Sequence, residues 1–272
     1  MTPMPNLSDV VHGTVVPEFR ERLHRLFREE LFAPHEGLTY QEKVRLTYDQ
    51  MKLVNSEVPA EELTTDPHLL FALLEWTAVV SPSLFIAMVT HHATLASVRE
   101  LSAGRDDVED FVEDLEAMRA TGSLLITELG YGNSHVSMRT RASLDPATGE
   151  LVLHTPDPAA RKFMPNVGAD EVPKPATVAA QLNVGGADCG VFMVLVPLRG
   201  KDGLADGVTI TPLPEMSLVP MDYAVISFDH VRVPLRNLLR DDATITEDGK
   251  FHDPLVNPDK RLVRSLTVAQ SV

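Results

Sequence analysis

Hydrophobic periodicity changes once along this chain, near Gly122, and that change restricts the fold more than any other feature. Before it, apolar residues recur at three- and four-residue spacing, the signature of amphipathic helices. After it they recur at every second position, the signature of half-buried strands. Helices followed by strands, without alternation, imply an α+β chain and exclude a doubly wound βαβ sheet.

In the first part, Phe19, Leu23, Leu26, Phe27 and Leu31 form one helical stripe that ends before Pro34. Tyr40–Val54 and Phe71–Val80 read as further helices. Ser81-Pro82 reads as a cap followed by proline at the first helical position, opening a buried helix that Gly104 closes. Asp106–Met118 reads as a helix with acids on one side and Val108, Phe111, Val112, Leu115 and Met118 on the other. Its acids suit a solvated face near the positive end of the dipole, or the docking of a basic partner.

In the second part, strands are expected at Ser123–Thr127 and Val136–Ser143. A turn, Asp145–Gly149, then leads to the return strand Glu150–Thr155. Others are expected at Thr177–Asn183, Gly190–Pro197, Val208–Thr211, Tyr223–Phe228 and His230–Val233. The expected architecture is an α-helical bundle domain over residues 1–120 and an antiparallel β-barrel or sandwich domain over 121–240. Residues 241–272 form a linker and the start of a helix.

Charge narrows the function. The net charge of −15 argues against nucleic acid and against an anionic membrane surface. The most apolar helix-length stretch, around Leu84–Val89, meets His91 and His92 too soon to span a bilayer. One cysteine, Cys189, excludes an intrachain disulfide and a cysteine metal cage, and is compatible with the cytoplasm, the location expected here. No metal site is expected: adjacent His91 and His92 point about 100° apart on a helix. Gly130-Tyr-Gly132 lacks the third glycine and the following helix of a dinucleotide fingerprint. The stretch from Thr127 to Ser134 is a strand end followed by a turn of glycine and short polar residues. Such a turn exposes backbone N–H groups to a planar cofactor, and an ordinary β-turn explains the spacing equally well.

Several ordered motifs together resemble the acyl-CoA oxidase and acyl-CoA dehydrogenase superfamily, its oxidase branch most closely. They are TELGYGNS at Thr127–Ser134, DPATG at Asp145–Gly149, HTPD at His154–Asp157 and KFMPN at Lys162–Asn166. AQL at Ala180–Leu182, VPLR at Val196–Arg199, FDHVRVPLRNLL at Phe228–Leu239 and NPDKRL at Asn257–Leu262 follow in order. The resemblance implies FAD as cofactor and α,β-dehydrogenation of an acyl thioester, a step of lipid metabolism, on CoA or on a carrier protein. It implies flavin contacts from Leu125, Thr127, Gly130, Gly132, Asn133 and Ser134 on one side and from Phe163, Pro165 and Asn166 on the other. The turn departs from the family's GHGSN, reading GYGNS. The chain stops at Val272, where the family's C-terminal helical bundle opens, so that bundle and its catalytic carboxylate are expected from a homologous partner chain. Glu128 belongs to the turn motif and is expected to be structural rather than the base. The implied protein is one subunit of a split oxidase or dehydrogenase, inactive alone. The alternative is a degenerate paralogue that acts only as a scaffold for an active homologue.

Overall fold

The computed structural model describes residues 16–270, apart from 133, 201, 217, 247 and 248. Asn133, one of the expected flavin contacts, therefore lies outside the described residues. The chain divides into two compact units, one running to Val89 with Met216–Pro220, the other holding Thr90–Glu215 and the residues from Met221 onward.

The first unit is helical. α1, Pro17–Leu26, buries Phe19, Leu23 and Leu26, one stripe at helical spacing. α2, Tyr40–Glu57, begins in a reciprocal cap: the Glu42 N–H donates to Thr39 Oγ1, and the Thr39 N–H donates to Glu42 Oε2 at 2.7 Å. α3 is Ala60–Thr65. α4, Pro67–Val80, starts with Pro67 behind Asp66, whose carboxylate accepts the His68 N–H at 2.9 Å. α5, Pro82–Leu101, opens as its sequence indicates, the Leu84 N–H donating to Ser81 Oγ. It runs from the first unit into the second and is buried on most sides. Its hydroxyls are satisfied within the helix: Thr94 donates to the Thr90 carbonyl and Ser97 to that of Ala93.

The second unit adds α6, Glu109–Glu116, and two packed sheets. The acids around α6 are largely taken by neighbouring arginines. Arg236 pairs with Asp110 at 2.9 Å, Arg105 with Asp107 at 2.9 Å, and Arg99 with Glu116.

The larger sheet is built on two long strands, β5 (Lys174–Val184) and β6 (Ala187–Gly200), which form an antiparallel hairpin. Along the free edge of β5, β1 (Ser123–Leu125) pairs with residues 176–178 and β2 (Arg141–Asp145) with residues 181–183, both in parallel. β3 (Glu150–His154) returns against β2, and β10 (Val231–Pro234) pairs with β3. β7 (Gly203–Leu204) and β11 (Leu238–Leu239) pair with β6. The smaller sheet runs β4 (Lys162–Asn166), β9 (Tyr223–Phe228), β8 (Val208–Pro212). One apolar core joins both sheets. Ala142, Leu151, Val178 and Phe192 come from the first; Val208, Ala224, Ile226 and Phe228 come from the second. That is a sandwich with a mixed larger sheet rather than a purely antiparallel one. The parallel pairs arise because the chain passes through β4 of the other sheet between β3 and β5, and so re-enters parallel to β2. A short ribbon, β12 (Thr244–Ile245) with β13 (Phe251–His252), precedes α7, Pro258–Gln270. Arg261 of α7 is buried and held by Asp241, Asp242 and Asp253.

Two strand boundaries differ from the sequence reading. The first expected strand stops at Leu125, because Thr127 and Leu129 bond instead to Phe163 and Arg161. The second starts at Arg141, not Val136: His135–Ser137 is a 3₁₀ turn.

Candidate functional site

Residues 126–140 leave the edge of β5 after β1 and rejoin it at β2, and this excursion carries the TELGYGNS motif. Its near leg lies along the start of β4. The Phe163 N–H donates to the Thr127 carbonyl at 3.1 Å, the Leu129 N–H to that of Arg161 at 2.9 Å, and the Gly130 N–H to that of Ala159 at 2.8 Å. A Cβ on Gly130 would stand 2.6 Å from the Ala159 Cβ, so only glycine permits this approach. Gly130→Ala is expected to destabilise the second unit by about 1–3 kcal/mol through overpacking, read by urea unfolding.

Beneath the loop lies Glu128, which is 2% exposed. Its carboxylate accepts the Arg139 N–H at 2.9 Å and the Thr140 N–H at 2.8 Å, and pairs with Lys162 Nζ at 3.3 Å. Lys162 Nζ also donates to the Ile126 carbonyl at 3.0 Å. Burial pushes the Lys162 ammonium down to about 8, against the opposing pull of Glu128. A second buried lysine holds the other end of β4: Lys174 Nζ donates to the Asn166 carbonyl at 3.2 Å and pairs with Asp222 at 3.3 Å. Here too burial lowers the pKa, with Asp222 opposing. A buried ion pair thus braces each end of the strand bearing the KFMPN motif. Glu128 is committed to that framework and offers no free oxygen to a substrate proton.

The expected flavin contacts fall into two groups. Thr127, Gly130 and Phe163 meet through the loop–β4 hydrogen bonds. A Cβ added at Gly132 would meet only the Thr127 methyl, at 3.8 Å, so the space beside this glycine is open. The Thr127 hydroxyl makes no hydrogen bond among the described residues. Ser134 Oγ shares a hydrogen bond with Ser137 Oγ at 3.0 Å. The others are turned into the framework. Leu125 belongs to the sandwich core. Pro165 and Asn166 are buried, the Asn166 carbonyl also accepting from Ser123 Oγ.

The far leg of the loop opens onto a cleft of about 470 Å³, lined by Met138, Arg139, Arg141, Gln181, Asn183 and Asp188, among others. Strand register explains its chemistry. Arg141 pairs with Gln181 and Ser143 with Asn183, so these four share one sheet face, while Ala142 and Leu182 face the core. Arg139 is held by Asp157 at 2.6 Å and by the Tyr131 hydroxyl at 3.1 Å. Arg141 makes no ion pair among the described residues, and Gln181 Oε1 is shut from solvent without a hydrogen-bond partner. With Arg139 already paired and Asp188 also in the lining, Arg141 and the unsatisfied amide suit an elongated ligand carrying one anionic group and amides. The sequence reading missed this cleft; the alternation of Arg141 and Ser143 about Ala142 was its one local signal.

No family model matches the chain. It is 28% identical over 193 residues to a putative peroxisomal acyl-coenzyme A oxidase 3.2 of Arabidopsis thaliana, covering 70% of this chain and 28% of that protein. To the human peroxisomal acyl-coenzyme A oxidase 3 it is 28% identical over 217 residues, covering 76% of this chain and 30% of the other. The chain thus spans under a third of these relatives' length. Among solved structures, acyl-CoA oxidase 1 of Yarrowia lipolytica superposes with a TM-score of 0.76 at 22% identity, covering 91% of this chain and 36% of that one. Acyl-CoA oxidase 2 of Caenorhabditis elegans, bound with FAD, ascaroside-CoA and ATP, gives 0.73 at 23% identity, covering 95% and 39%. In sequence over most of its length and in fold over nearly all of it, the chain is similar to a part of the acyl-CoA oxidases.

Proposed function

We propose that this chain supplies one wall of the flavin site and the thioester cleft of an acyl-thioester oxidase or dehydrogenase. On this reading a related chain with a helical bundle supplies the carboxylate that takes the α-proton. The observation that carries it is the loop of residues 126–140. On its near leg Thr127, whose hydroxyl has no hydrogen-bond partner among the described residues, brings its methyl beside the open space at Gly132. On its far leg the cleft of Arg139, Arg141 and Gln181 begins. The near leg fits the polar edge of a planar heterocycle: a hydroxyl to hydrogen-bond it, a glycine to let it approach, and Phe163 alongside. FAD bound there would supply the hydride acceptor. Thr127 then orients that group, and the braced β4 keeps the wall rigid. The cleft suits a phosphopantetheine arm, its phosphate toward Arg141 and its amides toward Gln181 and Asn183. The oxidase 2 of C. elegans, with FAD and ascaroside-CoA bound, supports that class of ligand. The commitment of Glu128 to Lys162 and two backbone N–H groups supports a base from outside this loop.

The test is co-purification of this chain with a homologous bundle-bearing chain, read by flavin absorption and acyl-CoA turnover. Flavin in the complex, turnover by the complex and none by this chain alone are expected. Thr127→Val should then weaken flavin retention by about 1–3 kcal/mol, because a flavin polar group loses its partner while the shape is kept. A complex that is stabilised but colourless would favour the scaffold reading instead. The cytoplasmic location we propose differs from the peroxisomal one in the relatives' names, and subcellular fractionation decides between them.

A further inference from the structure

Three metal-ligating side chains converge where β3 ends against the turn between β9 and β10. His154, Asp229 and His230 each bring one ligand atom to within 4.8 Å of the other two. The His230 and Asp229 atoms are 2.7 Å apart, those of His154 and Asp229 3.9 Å, and the two imidazoles stack with centroids 4.4 Å apart. We propose that these residues form a site for a divalent transition ion of the zinc class, against the metal-free expectation from sequence.

The backbone fixes the three positions from which these side chains reach before any ion arrives. The Thr155 N–H donates to the Phe228 carbonyl at 2.8 Å, and the Phe228 N–H returns to Thr155 Oγ1 at 2.9 Å, locking the end of β3 to the end of β9. The Asp229 N–H donates to the Gly207 carbonyl at 2.8 Å. His230 has φ +56°, a left-handed conformation in which histidine, like asparagine and aspartate, is enriched among non-glycine residues, and its ring stacks over His154. The donor chemistry is equally specific. His154 Nδ1 is shut from solvent, has no hydrogen-bond partner, and faces Asp229. A buried imidazole nitrogen without a partner is costly, and a metal satisfies it. Two imidazole nitrogens and one carboxylate oxygen are a zinc-type set, leaving a fourth position to water. In a tetrahedral site with bonds near 2.0–2.1 Å, donors lie about 3.3–3.4 Å apart. The two distances from Asp229 bracket that value. The adjustment needed falls on His230 and Asp229, whose side chains are 68% and 82% exposed and free to turn.

The ion would clip the larger sheet to the turn that follows the smaller one. It would also stand one strand from the cleft, since His154 is the register partner of Arg141.

The experiment is calorimetric titration of the chelator-treated full chain with zinc chloride, with cobalt(II) absorption as a geometric readout. One equivalent should bind at micromolar affinity, cobalt should give visible bands of low-coordinate N,O ligation, and zinc should raise the melting temperature. His230→Gln and Asp229→Asn, both at exposed positions, should each weaken zinc at least tenfold and abolish the melting shift while leaving the metal-free melting curve unchanged. No stoichiometric binding, or equal binding by wild type and both variants, would overturn the site.

Discussion

Glu128→Ala is expected to lower folding stability by about 3–5 kcal/mol, the usual consequence of removing one partner of a buried ion pair. The change leaves Lys162, wholly buried, with only the Ile126 carbonyl, and strips two backbone N–H groups of their acceptor. Urea unfolding of the single variant measures the loss. The double variant Glu128→Gln with Lys162→Met should recover much of it, because the stranded charge is gone. This pair of measurements separates a brace from a catalytic base. A base would lose turnover on substitution with the fold intact, so a stability change below about 1 kcal/mol would refute the bracing role.

Mild acid should be the second large perturbation. His92 is buried on α5, and burial holds its pKa at about 4 instead of 6.5. His91 beside it is also pushed well below its ordinary value, first by burial and then by repulsion from His92 and Lys174. Its Nδ1 accepts the Gly122 N–H at 3.1 Å, a bond that a protonated ring cannot make. Both rings are therefore neutral in the fold, whereas the unfolded chain takes up protons as pH drops through about 6.5. The stability held by neutral burial is complete above that pH and is lost progressively as pH falls towards about 4. His92 alone accounts for roughly 3 kcal/mol at 1.36 kcal/mol per pKa unit. The depressed carboxylates Asp107, Asp110, Asp241 and Asp253 begin to lose their stabilisation only at lower pH. Thermal melting between pH 8 and pH 4 should show the drop, and His92→Leu should flatten it. A melting temperature constant down to pH 5 would contradict the burial argument.

Local pattern sufficed where one face of an element is buried and the other is not. Tyr223–Phe228 alternates half-buried with buried residues and forms the expected strand. α5 was legible from Ser81, Pro82 and the apolar residues behind them. The same logic failed at Val136–Thr140, which alternates in sequence but is held by the Glu128 carboxylate, a contact that no local spacing encodes. The two parallel strands on the edge of β5 were equally illegible, because that pairing depends on the detour through β4. At the site, the motif residues of the loop and of β4 were identifiable by resemblance, and two of them, Thr127 and Phe163, are joined by a backbone hydrogen bond. The bracing role of the lysines was not: Lys162 was visible only as the first residue of KFMPN and Lys174 carried no signal, because burial of a lysine is not encoded in local spacing. His154 and His230 gave no sign of each other for the same reason: only folding brings them together.

The placement of β1 and β2 along one edge of β5 has an evolutionary consequence. Both feet of the intervening loop stand on the same strand, so the register of the sheet is set without reference to what lies between them. Residues between Gly132 and Met138 can be lengthened, shortened or exchanged as a cartridge while the frame stays in place. Divergence within this fold should therefore accumulate there first, altering what the wall recognises before it alters what the protein can fold into.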